Sequence, residues 1–218
     1  MKLASSLFAL LVLTLLTSLM ATTVEPPDFA SLVKEAEAIF RGRVINVRSA
    51  WVGTGDRRHI RTYVTCDVLR ALKGDPSSPF VIEMLGGTVG NETMEVVGSP
   101  TFKVGETSLL FVQNNGKQFV PLVGIMHGRF RIIRDSDTGD EILLMHDGAP
   151  LTGTDEIDRL HAKGPVTDHD DTRAASGPQP KKKPMKRDDF EDQVIREVKF
   201  PKTATPTTPI PNESTQKK

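Results

Sequence analysis

The chain has 218 residues and equal numbers of basic and acidic side chains, 28 of each, so its formal net charge is zero. A chain of this length is sufficient for one ordinary folded domain. Because there is no overall positive charge, no long-range field attracts nucleic acid or anionic lipid, and we expect neither DNA nor RNA as the main partner.

The N-terminal segment, residues 1–21, has one lysine followed by a run of mostly apolar residues that serine and threonine interrupt. The run is short for a membrane span but has the length of the apolar part of a secretory signal peptide. We therefore predict a signal peptide over 1–21 and a secreted or periplasmic protein with no membrane span after cleavage. Leu19 and Ala21 match the small-residue pattern of a signal-peptide cleavage site only in part. The alternative is that the N-terminal segment is not cleaved and anchors the protein.

The folded part is predicted to extend over residues 22–161. It begins with a short helix that Asp28 caps, since apolar residues then recur at helical spacing. A strand follows over 38–51, where the apolar alternation slips near Gly42 and indicates a bulge.

The clearest two-residue alternation in the chain lies between Arg58 and Gly74. It predicts a strand with one buried face, which we interpret as the central strand of a β-domain. Cys66, the single cysteine, lies on the apolar side of this strand, so no intramolecular disulfide is possible. The thiol is either a small buried hydrophobic group or a reactive or intermolecularly paired one.

Short apolar runs bounded by turn residues predict the remaining strands. These runs are 80–85, 92–97, 108–113, 118–123, 124–134 and 142–147. Asn115-Gly116 predicts a type I′ turn that joins 108–113 to 118–123 in a hairpin, and 135–141 predicts a second hairpin turn. A last short helix begins at Thr154 or Asp155. Seven or eight short strands with helices only at the margins predict a mainly β fold, a closed or nearly closed antiparallel barrel.

Residues 162–218 are rich in glycine, proline, lysine, aspartate and serine, a composition that predicts a disordered tail. Within it, residues 188–199 predict an amphipathic helix. Its apolar face is formed by Phe190, Val194, Ile195 and Val198. This face either binds a partner or packs on the protein's own barrel.

No motif for catalysis, for a cofactor or for a metal ion is evident. The histidines lack the spacing of zinc ligands, although His127 and His146 can meet if their strands pair. The acidic turn 135–141 has a weak similarity to a calcium loop, but its spacing differs from that of an EF-hand and a hairpin turn accounts for it. We therefore predict no catalytic residue, no cofactor and no metal site.

Four stretches together resemble a known group of proteins: AEAIFRGRVINV, YVTCDVLRALKG, PTFKVGETSLLFV and GRFRI. They are similar to uncharacterised exported bacterial proteins and, more distantly, to the OB-fold barrel of tissue inhibitors of metalloproteases and netrin-type modules. The resemblance covers residues 29–133 and implies a small antiparallel OB-like barrel. Those inhibitors coordinate the target's zinc through an N-terminal cysteine held by disulfides, and this chain has neither, so that mechanism is not implied.

We interpret the chain as an exported, non-enzymatic β-barrel module that binds a protein or a component of the cell envelope. The candidate contacts are two loops and the tail helix. They comprise Trp51 and His59 in the loop 51–59, Gly87 and Asn91 in the loop 86–91, and Phe190, Val194, Ile195 and Val198 in the tail. The alternatives are a metal-dependent enzyme that uses His127 and His146, and an inhibitor of an exported protease.

Overall fold

The computed structural model describes residues 26–163 and 182–201. The predicted signal peptide, most of the predicted linker and residues 202–218 lie outside this part. The described residues form a mainly β fold, which confirms the predicted fold class: a six-stranded antiparallel sheet, a separate two-stranded hairpin and three α-helices.

Eight strands and three helices make up the described part. The strands are β1 Ala38–Val52, β2 His59–Lys73, β3 Phe80–Leu85, β4 Gly87–Val89, β5 Glu92–Met94, β6 Thr107–Val112, β7 Arg129–Arg134 and β8 Glu141–Leu144. The helices are α1 Phe29–Glu35, α2 Thr154–Lys163 and α3 Arg187–Lys199, with a short 3-10 helix Gly55–Arg57 between β1 and β2.

The large sheet has the strand order β3-β2-β1-β6-β7-β8. The predicted strand 58–74 is present as β2, with the alternating burial that the sequence indicates, but it is not central. The middle of the sheet is β1, which is 15 residues long and pairs with β2 on one side and with β6 on the other.

The predicted irregularity of the first strand is confirmed. The pairing of β1 with β2 shifts register between Arg41 and Gly42 and again between Val44 and Asn46. A Cβ on Gly42 would lie 2.8 Å from the ring of Phe40, so the backbone and the ring occupy the space that a side chain would need. Bulges increase the local twist of a strand, and here they bend the long strand so that the sheet curls.

The loop after β6 covers the free edge of β3. The backbone N–H of Leu85 donates to the carbonyl of Phe119 at 2.7 Å, and Asn115 accepts from the Glu83 N–H at 3.0 Å and donates to the Val81 carbonyl at 2.7 Å. Because this loop leaves β6 and reaches β3, it closes the curled half of the sheet into a barrel-like shape and removes an exposed edge.

The predicted hairpin across Asn115-Gly116 is wrong in detail. Positive φ angles occur at Asn114 and Gly116 rather than at the two central positions that a type I′ turn requires. Residues 118–123 form a single bridge, Val112 with Leu122, instead of a strand. Pro121 has no N–H to donate to a ladder, which explains why regular pairing does not continue there.

Other predicted strands change at their ends. The run 124–134 becomes a strand only from residue 129, after a series of turns, and the predicted strand 92–97 is shorter and pairs with β4. The second hairpin, between β7 and β8, is confirmed: the Asp135 N–H donates to the Asp140 carbonyl at 2.8 Å, and Gly139 has the positive φ of 74° that this turn needs.

Both faces of the sheet bury apolar side chains. The inner face of the curled half buries Phe40, Val44, Val64, Cys66, Ile82, Met84, Phe102, Leu110, Val112, Val120 and Leu122. The opposite face packs against the three helices. Its core includes Phe29, Leu32, Val33, Ile39, Leu109, Phe111, Phe130, Leu143, Leu151, Phe190 and Val194.

The helix predicted in the tail is part of this second core. The ring of Phe190 is fully buried and lies 5.1 Å from the ring of Phe130 and 5.8 Å from that of Phe29, centroid to centroid. Val194 is fully buried as well. The sequence left open whether this helix binds a partner or packs on its own domain. The structure shows α3 packed on its own domain.

A buried ion cluster fixes α3 to the sheet. The Glu191 side chain is fully buried, and its Oε2 lies 2.6 Å from Arg70 Nη1 and 3.8 Å from Arg187 Nη1. Arg41 Nε lies 3.5 Å from the other carboxylate oxygen. Since Arg41 and Arg70 are cross-strand partners on β1 and β2, the carboxylate joins two strands and the helix.

Candidate functional site

One end of the curled half is built from loops, and two cavities and a groove lie there. We call it the loop end and define it as hairpin β4–β5, segment 95–102 and loop 118–126. Segment 95–102 borders a cavity of about 400 Å³ beneath the hairpin, a cavity of about 380 Å³ next to Arg129 and a groove of about 240 Å³ beside loop 118–126.

The hairpin cavity has hydroxyl groups in its floor. Thr62 Oγ1 donates to the Gly86 carbonyl at 2.7 Å and lies 2.9 Å from Ser49 Oγ. A Cβ on Gly87, whose φ is 129°, would lie 2.2 Å from Thr62 Oγ1. Glycine is therefore required at this position so that the hairpin can lie against β1 and β2.

The second cavity is cationic. Arg129, which is only 6% exposed, donates to Glu106 Oε2 at 2.8 Å and to Ser108 Oγ at 3.2 Å, and its guanidinium lies 4.0 Å from the ring centroid of Phe102. Burial lowers the pKa of Arg129, and Glu106 opposes that change. Because Glu106 neutralises Arg129, Lys103 and Arg131 leave the cavity lining with an excess of positive charge.

The third feature is the apolar groove. It is lined mainly by Val96, Phe119, Val120, Leu122 and Ile125. Phe119, which lines the groove, is 70% exposed, and Val97, the residue after Val96, is 92% exposed. Large apolar side chains with this exposure leave unfavourable contact with water that a binding partner would remove.

Backbone strain occurs in the same loop. Ile125 has a φ of 59°, a left-handed conformation that is rare for a β-branched residue and costs on the order of 1–3 kcal/mol. The Ile125 N–H donates to the Leu122 carbonyl at 3.0 Å, and its side chain packs against the inner core. The surrounding contacts thus hold the loop in one shape beside the apolar groove.

Two histidines meet between the cationic cavity and the helices. The ring centroids of His127 and His146 are 4.6 Å apart, with the ring planes at 75°. Burial and the nearby His146 lower the pKa of His127 from 6.5 to about 4, so His127 is neutral near pH 7. Both rings border a small cavity that Leu32, Met145 and Ile157 also line.

Among residues 26–160 and 182–201, no three side chains of the type His, Cys, Asp or Glu lie close enough to share a metal ion. The acidic turn 135–141 uses its carboxylates locally. Asp135 Oδ2 accepts from the Thr138 hydroxyl at 2.8 Å, and Asp140 lies 2.8 Å from Lys186 Nζ. These contacts are those of a hairpin turn.

The candidate contacts of the loop 51–59 make a separate small cluster. The Arg58 guanidinium lies 3.9 Å above the ring of half-buried Trp51. A ring N–H of His59, Nδ1, can donate to the Arg57 carbonyl at 2.9 Å, and Nε2 of the same ring lies 3.4 Å from Arg61 Nε. Neither Trp51 nor His59 lines the two cavities or the groove of the loop end.

The other candidate contacts divide between the loop end and the core. Gly87 lines the hairpin cavity, whereas Asn91 is exposed in the turn between β4 and β5. In α3, Phe190 and Val194 are completely buried, and Ile195 and Val198 pack against the same core. The tail face is not available to a partner while the helix is docked, because the protein's own sheet covers it.

The most exposed apolar residues of the site, Phe119 and Val97, were not among the sequence candidates. Both belong to short apolar runs that predicted strands, and strand alternation does not show which residues a loop leaves uncovered. A proline follows each of them within three positions, and this was the available signal that regular pairing ends there.

No protein-family model matches this chain, and no curated protein matches it. Within the described ranges, no helix has the combination of length and hydrophobicity that a membrane crossing requires.

Proposed function

We propose that this protein is an exported, non-enzymatic binding module that docks a partner protein at its loop end. The observation that carries the proposal is exposed apolar surface at the groove: Phe119 lines the groove and is 70% exposed, and Val97, which follows the lining residue Val96, is 92% exposed. Export rests on the signal peptide predicted over residues 1–21.

The surroundings of the groove support docking more than catalysis. Phe119 is positioned by its carbonyl, which accepts from the Leu85 N–H at 2.7 Å, so its exposed ring projects from a fixed backbone. Rigid aromatic side chains bind partners at low cost in conformational entropy, and they are common at the centres of protein interfaces. A partner segment that inserts an apolar side chain into the groove beside Phe119 fits this surface.

The positive charge next to the groove adds a preference for the partner. Lys103 and Arg131 line the cationic cavity, and segment 95–102 borders both this cavity and the apolar groove. A partner with an acidic residue beside its apolar side chain would satisfy both surfaces, since complementary charge at the border of an interface increases the association rate.

Site-specific photocrosslinking tests the proposal. A benzoylphenylalanine in place of Phe119 is expected to crosslink to a specific protein in envelope extract, and Phe119→Asp is expected to abolish binding of that protein. The matched control is Phe200, which is 77% exposed but lies at the end of α3. The same crosslinked protein from position 200, or unchanged binding by folded Phe119→Asp, would rule out docking at the loop end.

A further inference from the structure

Two identical dipeptides, Met126-His127 and Met145-His146, come together in the folded chain. The first lies just before β7 and the second just after β8. Because β7 and β8 are antiparallel partners, the beginning of one strand lies beside the end of the other. The two imidazole rings are in contact, at a centroid distance of 4.6 Å.

The side chains of both dipeptides lie around two neighbouring cavities. His127, His146 and Met145 line the small cavity, which Arg129 also lines, and Met126, Met145 and His146 line the cationic cavity. A Cβ on Gly98 would lie 2.6 Å from the Met126 terminal methyl carbon. Because Gly98 has no side chain, the end of the Met126 side chain can lie beside the cavity.

These donors form an uncharged set of two nitrogen and two sulfur atoms. Thioether sulfur is a soft ligand that selects monovalent copper, and imidazole binds copper as well. Hard divalent cations need carboxylate or carbonyl oxygens instead. The carboxylate of this cavity, Glu106, is already bound to Arg129 at 2.8 Å, and the neighbouring Arg131 further disfavours an ion of higher charge.

We propose that the two Met-His dipeptides bind one Cu(I) ion, with His127, His146 and Met145 as ligands and Met126 completing the site. The ion binds as Cu(I), so no electron transfer is required. The site shares Met126 and the cationic cavity with the loop end but does not include Phe119 or Val97. Copper binding and docking at the groove are therefore tested by separate measurements.

A competition titration under anaerobic, reducing conditions tests the site. The full-length protein is titrated against the Cu(I) complex of bicinchoninate, and the absorbance of that complex reports transfer. We expect the protein to remove one equivalent of Cu(I), and we expect His127→Ala together with His146→Ala to abolish this transfer. Met145→Leu and Met126→Leu should each weaken binding by about tenfold, which is the effect of losing about 1.4 kcal/mol.

Two controls separate the copper site from a general effect on the fold. Met84→Leu replaces another buried methionine, and His59→Ala removes a histidine far along the chain from the dipeptides; both should bind copper like the wild type. Methionine and leucine are similar in volume, so the Met→Leu variants should fold. X-ray absorption of the loaded protein should show a copper–sulfur distance that Met145→Leu together with Met126→Leu removes.

Several results would overturn the assignment. They are the absence of Cu(I) transfer to the wild type, unchanged transfer to the double histidine variant, and displacement of Cu(I) by an equal concentration of Zn(II). Loss of copper binding with unchanged crosslinking at Phe119 would leave the docking proposal intact.

Discussion

The replacement Phe190→Ala tests whether the C-terminal helix belongs to the structural core. The ring is completely buried and contacts the rings of Phe29, Phe111 and Phe130 at centroid distances of 5.8, 6.5 and 5.1 Å. Truncation of a buried phenylalanine removes its transfer free energy and leaves a cavity, at a cost of about 3–5 kcal/mol. This is a large part of a typical unfolding free energy of about 5–15 kcal/mol.

Urea denaturation of the full chain, followed by circular dichroism and by the fluorescence of Trp51, measures this effect. The matched control is Phe200→Ala, which removes the same side chain from a position that is 77% exposed. We expect the control to change the unfolding free energy by no more than about 0.5 kcal/mol. Both probes should report the same transition if α3 unfolds together with the sheet.

A result below about 1 kcal/mol for Phe190→Ala, similar to the control, would refute the reasoning, because a core phenylalanine cannot be removed at so low a cost. The helix would then be free to leave the sheet. Its apolar face would become available to a partner, which is the alternative that the sequence left open.

Three further predictions concern buried ionisable groups. Glu191→Ala should lower the unfolding free energy by about 1.5–3 kcal/mol, because it removes the buried carboxylate that three partly exposed arginines contact. The exposed Asp192→Ala on the same helix should have almost no effect, and equal effects of the two would show that the ion cluster does not anchor α3. For His127, the pKa of about 4 in the folded protein lies below the ordinary value of 6.5, so the unfolded chain binds the proton more tightly. The unfolding free energy should therefore fall by about 1–3 kcal/mol as the pH decreases from 6.5 to 4. The measurement is made with a chelator present. An unchanged pH dependence in His127→Asn would contradict this. Burial raises the pKa of the Cys66 thiol to about 11, so iodoacetamide at pH 8 should alkylate the protein only in urea, and rapid alkylation of the native protein would show that the thiol is accessible.

The sequence by itself determined the elements that depend on neighbouring residues. The alternation of β2 is present because side chains of successive residues point to opposite faces of a strand. Asp28 caps α1, accepting from the Ser31 N–H at 2.6 Å, since a cap needs only residues three positions apart. The turn at Gly139 and the helices α2 and α3 were predicted for the same reason: each is specified by local spacing and composition.

The same local information identified part of the candidate site. The glycine-rich loop 86–91 was predicted because its glycines indicate a sharp bend, and the structure adds that Gly87 lies against Thr62 and Ser49. The exposure of Phe119 was not predictable in this way. The exposure of Phe119 depends on where the loop after β6 crosses to β3, and the spacing of apolar residues within the loop does not indicate that crossing.

Only the tertiary structure decided which distant segments meet. It placed β1 rather than β2 in the middle of the sheet, and it placed Phe190 against the rings of Phe29, Phe111 and Phe130, which precede it by at least 60 positions. It also brought His127 and His146 into contact through the pairing of β7 with β8. These contacts join residues far apart in the chain, and their free energy comes from burying surfaces that only the assembled sheet brings together.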